Sequence, residues 1–327
     1  MNGSVRNTPA GEWTSNDVEL LCQAALEETV TATLIGGGKH QVFKAVGPRR
    51  TYAVKVFSQG NGAVENTELA VYRLLSGSGH VKALFAASTA TDGRQFAITE
   101  FVEGESLLTS YRRGDWSSND MRRVAEFFSS YLADCACLDQ RALLGPSTGI
   151  RPWPDTLREL INTIAGLASD AAPSDREALG ELEATLRRYL TRNWDRLATV
   201  DQVVMPVDLN FDNFLATVDG RILAIDLDAF LVGDPKFALG ELIAHVYGSD
   251  LAAQLLALPI FSKWSSDTDV FFYAAVSSYS VLTFCVRQGM EVTEVKPWEN
   301  DATFLNLVER YQAIFDNTGT LEISDDW

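Results

Sequence analysis

The chain has 327 residues, 46% of them apolar, which excludes global disorder and allows about two domains by length. Its 27 basic and 44 acidic residues leave a net charge of −17, a field that repels nucleic acid and attracts cations. The opening "MNGSVRNTPAGEW" has no apolar core of the kind a secretory signal needs, and the apolar stretches 251–261 and 271–285 read as too short or too polar to cross a bilayer; a cytoplasmic protein that binds neither nucleic acid nor membrane is expected.

In chain order, "SNDVELLCQAALEET" (15–29) predicts a short helix with a Ser or Asn cap. Residues 30–59 alternate and are rich in β-branched side chains, so they predict three strands joined by the Gly-rich turn 36–38 and the "GPRR" turn 47–50. A helix over 63–77 ending at Gly77 follows, then two strands around the "TDG" turn within 83–104. Beyond Gly104 the apolar spacing turns helical over 118–139, 154–169 and 174–197. Short strands and charge interrupt over 203–230, and helices resume through "PKFALGELIAHVYG" and "NDATFLNLVERYQAIFDN". Two parts are expected, 1–103 and 104–327. The first holds 9 basic and 10 acidic residues and the second 18 and 34, so nearly all the excess charge lies on the helical part. Cys22, Cys135, Cys137 and Cys285 are scattered and predict buried free thiols; with His40, His80 and His245 they make no metal-binding spacing.

Four carboxylates and two carboxamides (Asp208, Asp212, Asp226, Asp228, Asn210 and Asn213) lie between the apolar runs of 203–230. Isolated charge among apolar flanks is costly unless it is paired or holds a metal. A hairpin across Val218–Gly220 would bring Asn213 and Asp226 near each other as hard oxygen donors suited to Mg²⁺. Upstream, strand periodicity turns Ala53, Lys55 and Phe57 to one side of "TYAVKVF". On the next helix Val64, Glu68, Val71 and Leu75 share the core-facing stripe, so Glu68 requires a cation, and Lys55 is the nearest inward one; Glu65 is the rival. Gly36, Gly37 and Gly38 would let a backbone approach an anion.

This order of features resembles the protein kinase superfamily, and within it the aminoglycoside phosphotransferase-like kinases. "AVKVF" resembles the kinase strand lysine, "PVDLNFDNFL" the catalytic loop, "AIDLDAFLVGDP" the metal-binding segment, and "ITEFVEGESLL" the hinge between lobes. The resemblance implies an α+β, bilobal kinase-like fold: a small antiparallel sheet with one helix, then a larger, mostly helical lobe. It implies that ATP (or GTP) binds with Mg²⁺. Lys55, oriented by Glu68, would hold the α- and β-phosphates, with Gly36–Gly38 covering them. Glu100, Phe101 and Val102 would meet the adenine through backbone groups, with Ala53 also in the nucleotide site. Asp208 would accept or orient the attacking hydroxyl, and Asn213 and Asp226, with Asp228, would bind the metal. Two departures stand out. Pro206 occupies the family's His position, and Ala238 stands where many relatives carry the Asp that accepts catalytic-loop N–H groups. Since proline has no N–H, a loop donor and its acceptor are expected to have been lost together.

Three activities fit: phosphorylation of a hydroxyl on a cationic, polyhydroxylated small molecule such as an antibiotic, in resistance or biosynthesis; phosphorylation of Ser or Thr in a lanthipeptide-type precursor; or a nucleotide-binding scaffold without turnover. The acceptor and the oligomeric state are not legible.

Overall fold

The alternating apolar residues of 30–59 build the strands they predict. In the computed structural model, β1 (Thr31–Gly36), β2 (Gln41–Val46), β3 (Thr51–Val56), β4 (Leu84–Thr89) and β5 (Gln95–Glu100) form an antiparallel sheet in the order β1-β2-β3-β5-β4. The residues described are 12–37, 40–57, 67–90, 92–144, 150–246, 250–258, 262, 267–295, 305–306, 308–309 and 315. The chain divides into two units, Met1–Glu105 with Leu215–Asp228, and Ser106–Phe214 with Ala229–Trp327.

In the first unit β3 is the central strand, and both of its faces are covered. Tyr52, Val54 and Val56 pack with Phe43, Phe96 and Ile98 against Val18 and Cys22 of α1 (Ser15–Leu26). On the other face Phe57 and Ala97 pack against Leu69 of α2 (Thr67–Leu74). The cap of α1 is Thr14, not the expected Ser15 or Asn16: its hydroxyl accepts the Asp17 N–H, and Asp17 reciprocates at the Thr14 N–H, which satisfies two end donors at once. A three-stranded sheet joins β6 (Gly104–Ser106), β8 (Phe214–Thr217) and β9 (Ile222–Ala224) in the order β6-β8-β9. Gly104 is obligatory, because a Cβ there would strike the Ala216 carbonyl. The hairpin between β8 and β9 turns on Gly220 at φ 84°, and the Thr217 hydroxyl accepts the Arg221 N–H at 2.7 Å.

The second unit is helical, with α3 (Leu107–Arg112), α4 (Ser118–Ala136), α5 (Gln140–Leu144), α6 (Trp153–Ala168), α7 (Pro173–Arg192), α8 (Trp194–Leu197), α9 (Lys236–Val246), α10 (Asp250–Ala257) and α11 (Thr268–Arg287). Its two strands, β7 (Val203–Pro206) and β10 (Phe230–Gly233), pair antiparallel from Pro206–Phe230 to Val203–Gly233. Helix α11 extends past the apolar stretch 271–285 and is long and apolar enough to cross a membrane, contrary to expectation; 78% of its apolar window is buried inside the protein, as in a core helix. It lies so close to α9 that a Cβ on Gly240 would stand 2.6 Å from the Val270 carbonyl oxygen. The helix expected over 300–317 falls mostly outside the described residues.

Candidate active site

Lys55 emerges from the middle of β3, opposite Val42 on β2 and Ala97 on β5. Its ammonium meets Glu68 Oε2 at 2.6 Å and Asp226 Oδ1 at 3.4 Å. The Glu68 side chain is fully buried, as its place on the core-facing stripe of α2 requires, whereas Asp226 is 45% exposed. Burial pushes the Glu68 carboxyl up to about 7; Lys55 pulls it down, and the charges of Asp226 and Asp228 push it further up. The rival Glu65 lies outside the described residues. Asp226 is delivered by β9, whose last residue is tied to the segment before β4: the Ala224 N–H donates to His80 O at 2.8 Å, and Val81 bridges Ala224 in parallel. Leu223 and Leu227 are fully buried on either side of Asp226. The acid therefore stands outward because its apolar neighbours are anchored inward.

The other nucleotide-facing candidates fall in the same unit. Ala53 is buried on β3, two residues from Lys55, opposite Lys44 and Thr99. At the end of β5 the Glu100 N–H donates to Ala83 O and the Phe101 N–H to Thr51 O. The Val102 N–H has no acceptor among the described residues, so of these three N–H groups it is the one left for a ligand. Gly36 closes β1, where a Cβ would touch Val42 at 3.7 Å, and a Cβ on Gly37 would meet nothing within 4 Å; neither has a positive φ, so backbone strain does not require glycine at either position. Gly38 lies outside the described residues. Two lysines that neither periodicity nor motif singles out also appear. Lys44 lies 4.4 Å over the Phe101 ring. Lys82 is half-buried, and burial, then the neighbouring Lys55, lower its pKa.

In the second unit the loop after β7 alternates. Leu209 and Phe211 are buried, with Phe211 stacked on Phe128 at 5.5 Å, while Asp208 and Asp212 are exposed. Asp208 takes the left-handed conformation, φ 64°, a strained choice for any residue with a Cβ and one that concentrates at functional sites. Two bonds hold it: the Asn213 amide nitrogen donates to Asp208 O at 2.8 Å, and the Asp208 N–H donates to Glu241 Oε1 at 2.7 Å. The second bond corrects the expectation about Pro206 and Ala238. The loop has not lost its carboxylate acceptor; Glu241, on the next turn of α9, supplies it. No periodicity singles Glu241 out. The one available signal was a buried-helix position occupied by an acid.

The Gly-Asp-Pro segment turns out to be architectural. A Cβ on Gly233 would strike the Trp153 ring. Asp234 is buried, accepts the Tyr273 hydroxyl at 2.9 Å and caps α9 through the Lys236 N–H at 3.0 Å.

The donors present suit Mg²⁺. Because the Asn213 nitrogen is committed to Asp208 O, its Oδ1 is available as a ligand, and the Asp226 carboxylate is accessible. No cluster of three or more His, Cys, Asp or Glu that could cage a metal occurs among the described residues. Mg²⁺ needs no such cage when one or two protein oxygens act with substrate phosphates.

Comparison with known proteins follows the same lines. No curated protein matches the sequence. Among solved structures, aminoglycoside phosphotransferase APH(4)-Ia, in a thermostable form, is similar at 12% identity with a TM-score of 0.61, covering 91% of this chain and 97% of that one. Spectinomycin phosphotransferase APH(9)-Ia, solved with ADP and spectinomycin, is similar at 12% identity and TM-score 0.60, over 92% and 99% of the two chains. A Ralstonia eutropha JMP134 protein described as an aminoglycoside phosphotransferase reaches 17% and 0.64, over 93% and 99%. These likenesses establish the expected α+β kinase-like fold. A family model matches residues 31–261, well over half the chain and the whole stretch from β1 through α10, and on that match the protein belongs to the phosphotransferase enzyme family.

Proposed function

We propose that this enzyme transfers the γ-phosphoryl group of ATP, bound with Mg²⁺, to a hydroxyl of a cationic, polyhydroxylated small molecule. The observation that carries this is the Lys55 ammonium held between buried Glu68 and accessible Asp226. A lysine fixed by a helical glutamate and set beside a metal-binding acid is what phosphate binding asks for, because phosphoryl transfer depends on positioning and charge neutralisation rather than covalent chemistry. Lys55 would bind the α- and β-phosphates, with the carboxylate of Glu68 fixing its direction. Asn213 Oδ1 and the Asp226 carboxylate would hold Mg²⁺, which when bound neutralises charge on the phosphate oxygens. The Val102 N–H would donate a hydrogen bond to the base. Asp208, exposed on a loop held at both its N–H and its carbonyl, would orient the acceptor hydroxyl and take its proton.

The acceptor class rests on charge: 34 acidic against 18 basic residues in 104–327 favour a cation. The structural neighbours agree in kind, since one was solved with AMP-PNP and hygromycin B and another with ADP and spectinomycin. The test is mass spectrometry for the gain of one phosphoryl group across aminoglycosides, nucleoside antibiotics and Ser/Thr-rich peptides. Transfer to a cationic small molecule is expected. Transfer confined to the peptides would overturn the acceptor class, and no ATP consumption with any of them would leave a nucleotide-binding scaffold.

A further inference from the structure

We propose that Glu241 is the positioning residue of the loop that carries Asp208, a duty displaced by one helical turn from position 238. This rests on Asp208 being the group that handles the acceptor hydroxyl. Ala238 and Glu241 are three apart on α9 and so share a face; a side chain one methylene longer than aspartate reaches the loop from the next turn. Glu241 Oε1 accepts the Asp208 N–H at 2.7 Å, and the neighbouring Leu209 N–H favours the charged form of the same carboxyl. The side chain is buried, and Oε2 has no hydrogen-bond partner among the described residues. A buried acid that accepts a loop N–H on one oxygen and leaves the other unmatched is poor at general core stabilisation and well placed to fix a single backbone conformation. That conformation is the one that needs fixing, because Asp208 is left-handed. The shift also accounts for Pro206. Proline at the end of β7 donates nothing, so the N–H groups to be held lie farther along, at 208 and 209. Burial pushes the Glu241 carboxyl up to about 8, with the two N–H donors pulling the other way, so a neutral glutamine is a close mimic of its resting form.

The experiment uses ATP hydrolysis by the full chain, which needs no identified acceptor, together with ADP titration and thermal midpoints. Asp208→Asn comes first: if it leaves hydrolysis unchanged, the assignment of Asp208 fails, whatever Glu241 does. Where hydrolysis depends on Asp208, Glu241→Ala is expected to lower kcat about 100-fold, the scale of a misplaced catalytic group, with KM for ATP and ADP affinity within about threefold of wild type. Glu241→Gln, which keeps an acceptor oxygen, is expected to stay within about threefold in kcat, and Ala238→Asp added to Glu241→Ala to recover about tenfold. A merely structural glutamate would instead lower the thermal midpoint without separating kcat from KM. Wild-type kcat in Glu241→Ala overturns the proposal. If that variant does not fold, Glu241→Asp decides: its shorter reach is expected to cost about tenfold in kcat at unchanged ADP affinity, and wild-type turnover there overturns it equally.

Discussion

Lys55 stands on β3 between a buried and an accessible carboxylate, and the two differ in what their loss would do. Asp226→Ala removes a proposed metal ligand, so Mg·ATP affinity should fall together with turnover; nucleotide titration with and without Mg²⁺ checks this. Asp208→Asn removes only the group proposed to handle the acceptor hydroxyl, so transfer should be abolished while ATP affinity stays near wild type; unchanged turnover would remove Asp208 from the chemistry. Glu68 makes a prediction about stability. Its carboxyl is shifted from 4.5 up to about 7, first by burial and then against the pull of Lys55, with Asp226 and Asp228 pushing the same way as burial. The folded protein therefore holds a proton that the unfolded chain gives up. The stability from this group is fully present below about pH 4.5 and is lost as pH rises through about 7. Urea midpoints should fall over that window by an amount worth up to roughly 3 kcal/mol. Glu68→Gln should flatten that component, and an unaltered slope would show that Glu68 is not what titrates.

At the scale of strands and helices, legibility followed periodicity. Period two placed Lys55 inside a strand, period 3.6 placed Glu68 on the buried stripe, and together they anticipated a contact of 2.6 Å across 13 residues of sequence. The hairpin at Val218–Gly220 was equally plain, because "VDG" marks a turn. Glu241 was not legible, since a mid-helix acid on an otherwise apolar helix declares its partner only once α9 is folded against the loop. The edge proposed to meet the base was legible only as a stretch: which of residues 100–102 keeps an N–H without an acceptor among the described residues depends on register, here set by Ala83 and Thr51. Gly233 was visible as part of a motif, but its reason is packing. Gly233→Ala would drive a methyl into Trp153 and to 2.7 Å from Met205 Cε, and should cost about 1–3 kcal/mol in urea unfolding. Gly180 on α7, where a Cβ meets nothing within 4 Å, is the control: Gly180→Ala should stabilise by about 0.5–1 kcal/mol. Equal effects at the two sites would mean that contact with Trp153 is not what requires Gly233.

For the whole molecule the informative quantity is where charge accumulates. A kinase-like fold is shared with structures only 12–17% identical, so the fold leaves the acceptor open, and the excess acid of residues 104–327 is what bears on it. Such a field acts on encounter more than on chemistry: it concentrates cations near the surface and weakens as salt shortens its reach from about 30 Å at 0.01 M to about 8 Å at 0.15 M. For a polycationic acceptor, kcat/KM should therefore fall about tenfold or more between those ionic strengths. The kcat should change little, because the Lys55–Glu68 pair is largely withdrawn from solvent and so weakly screened. A neutral polyol accepted by the same enzyme should show a flat profile. If the polycation and the polyol respond identically to salt, the acidic surface plays no part in choosing the acceptor, and the choice lies with contacts that discriminate by shape and hydrogen bonding.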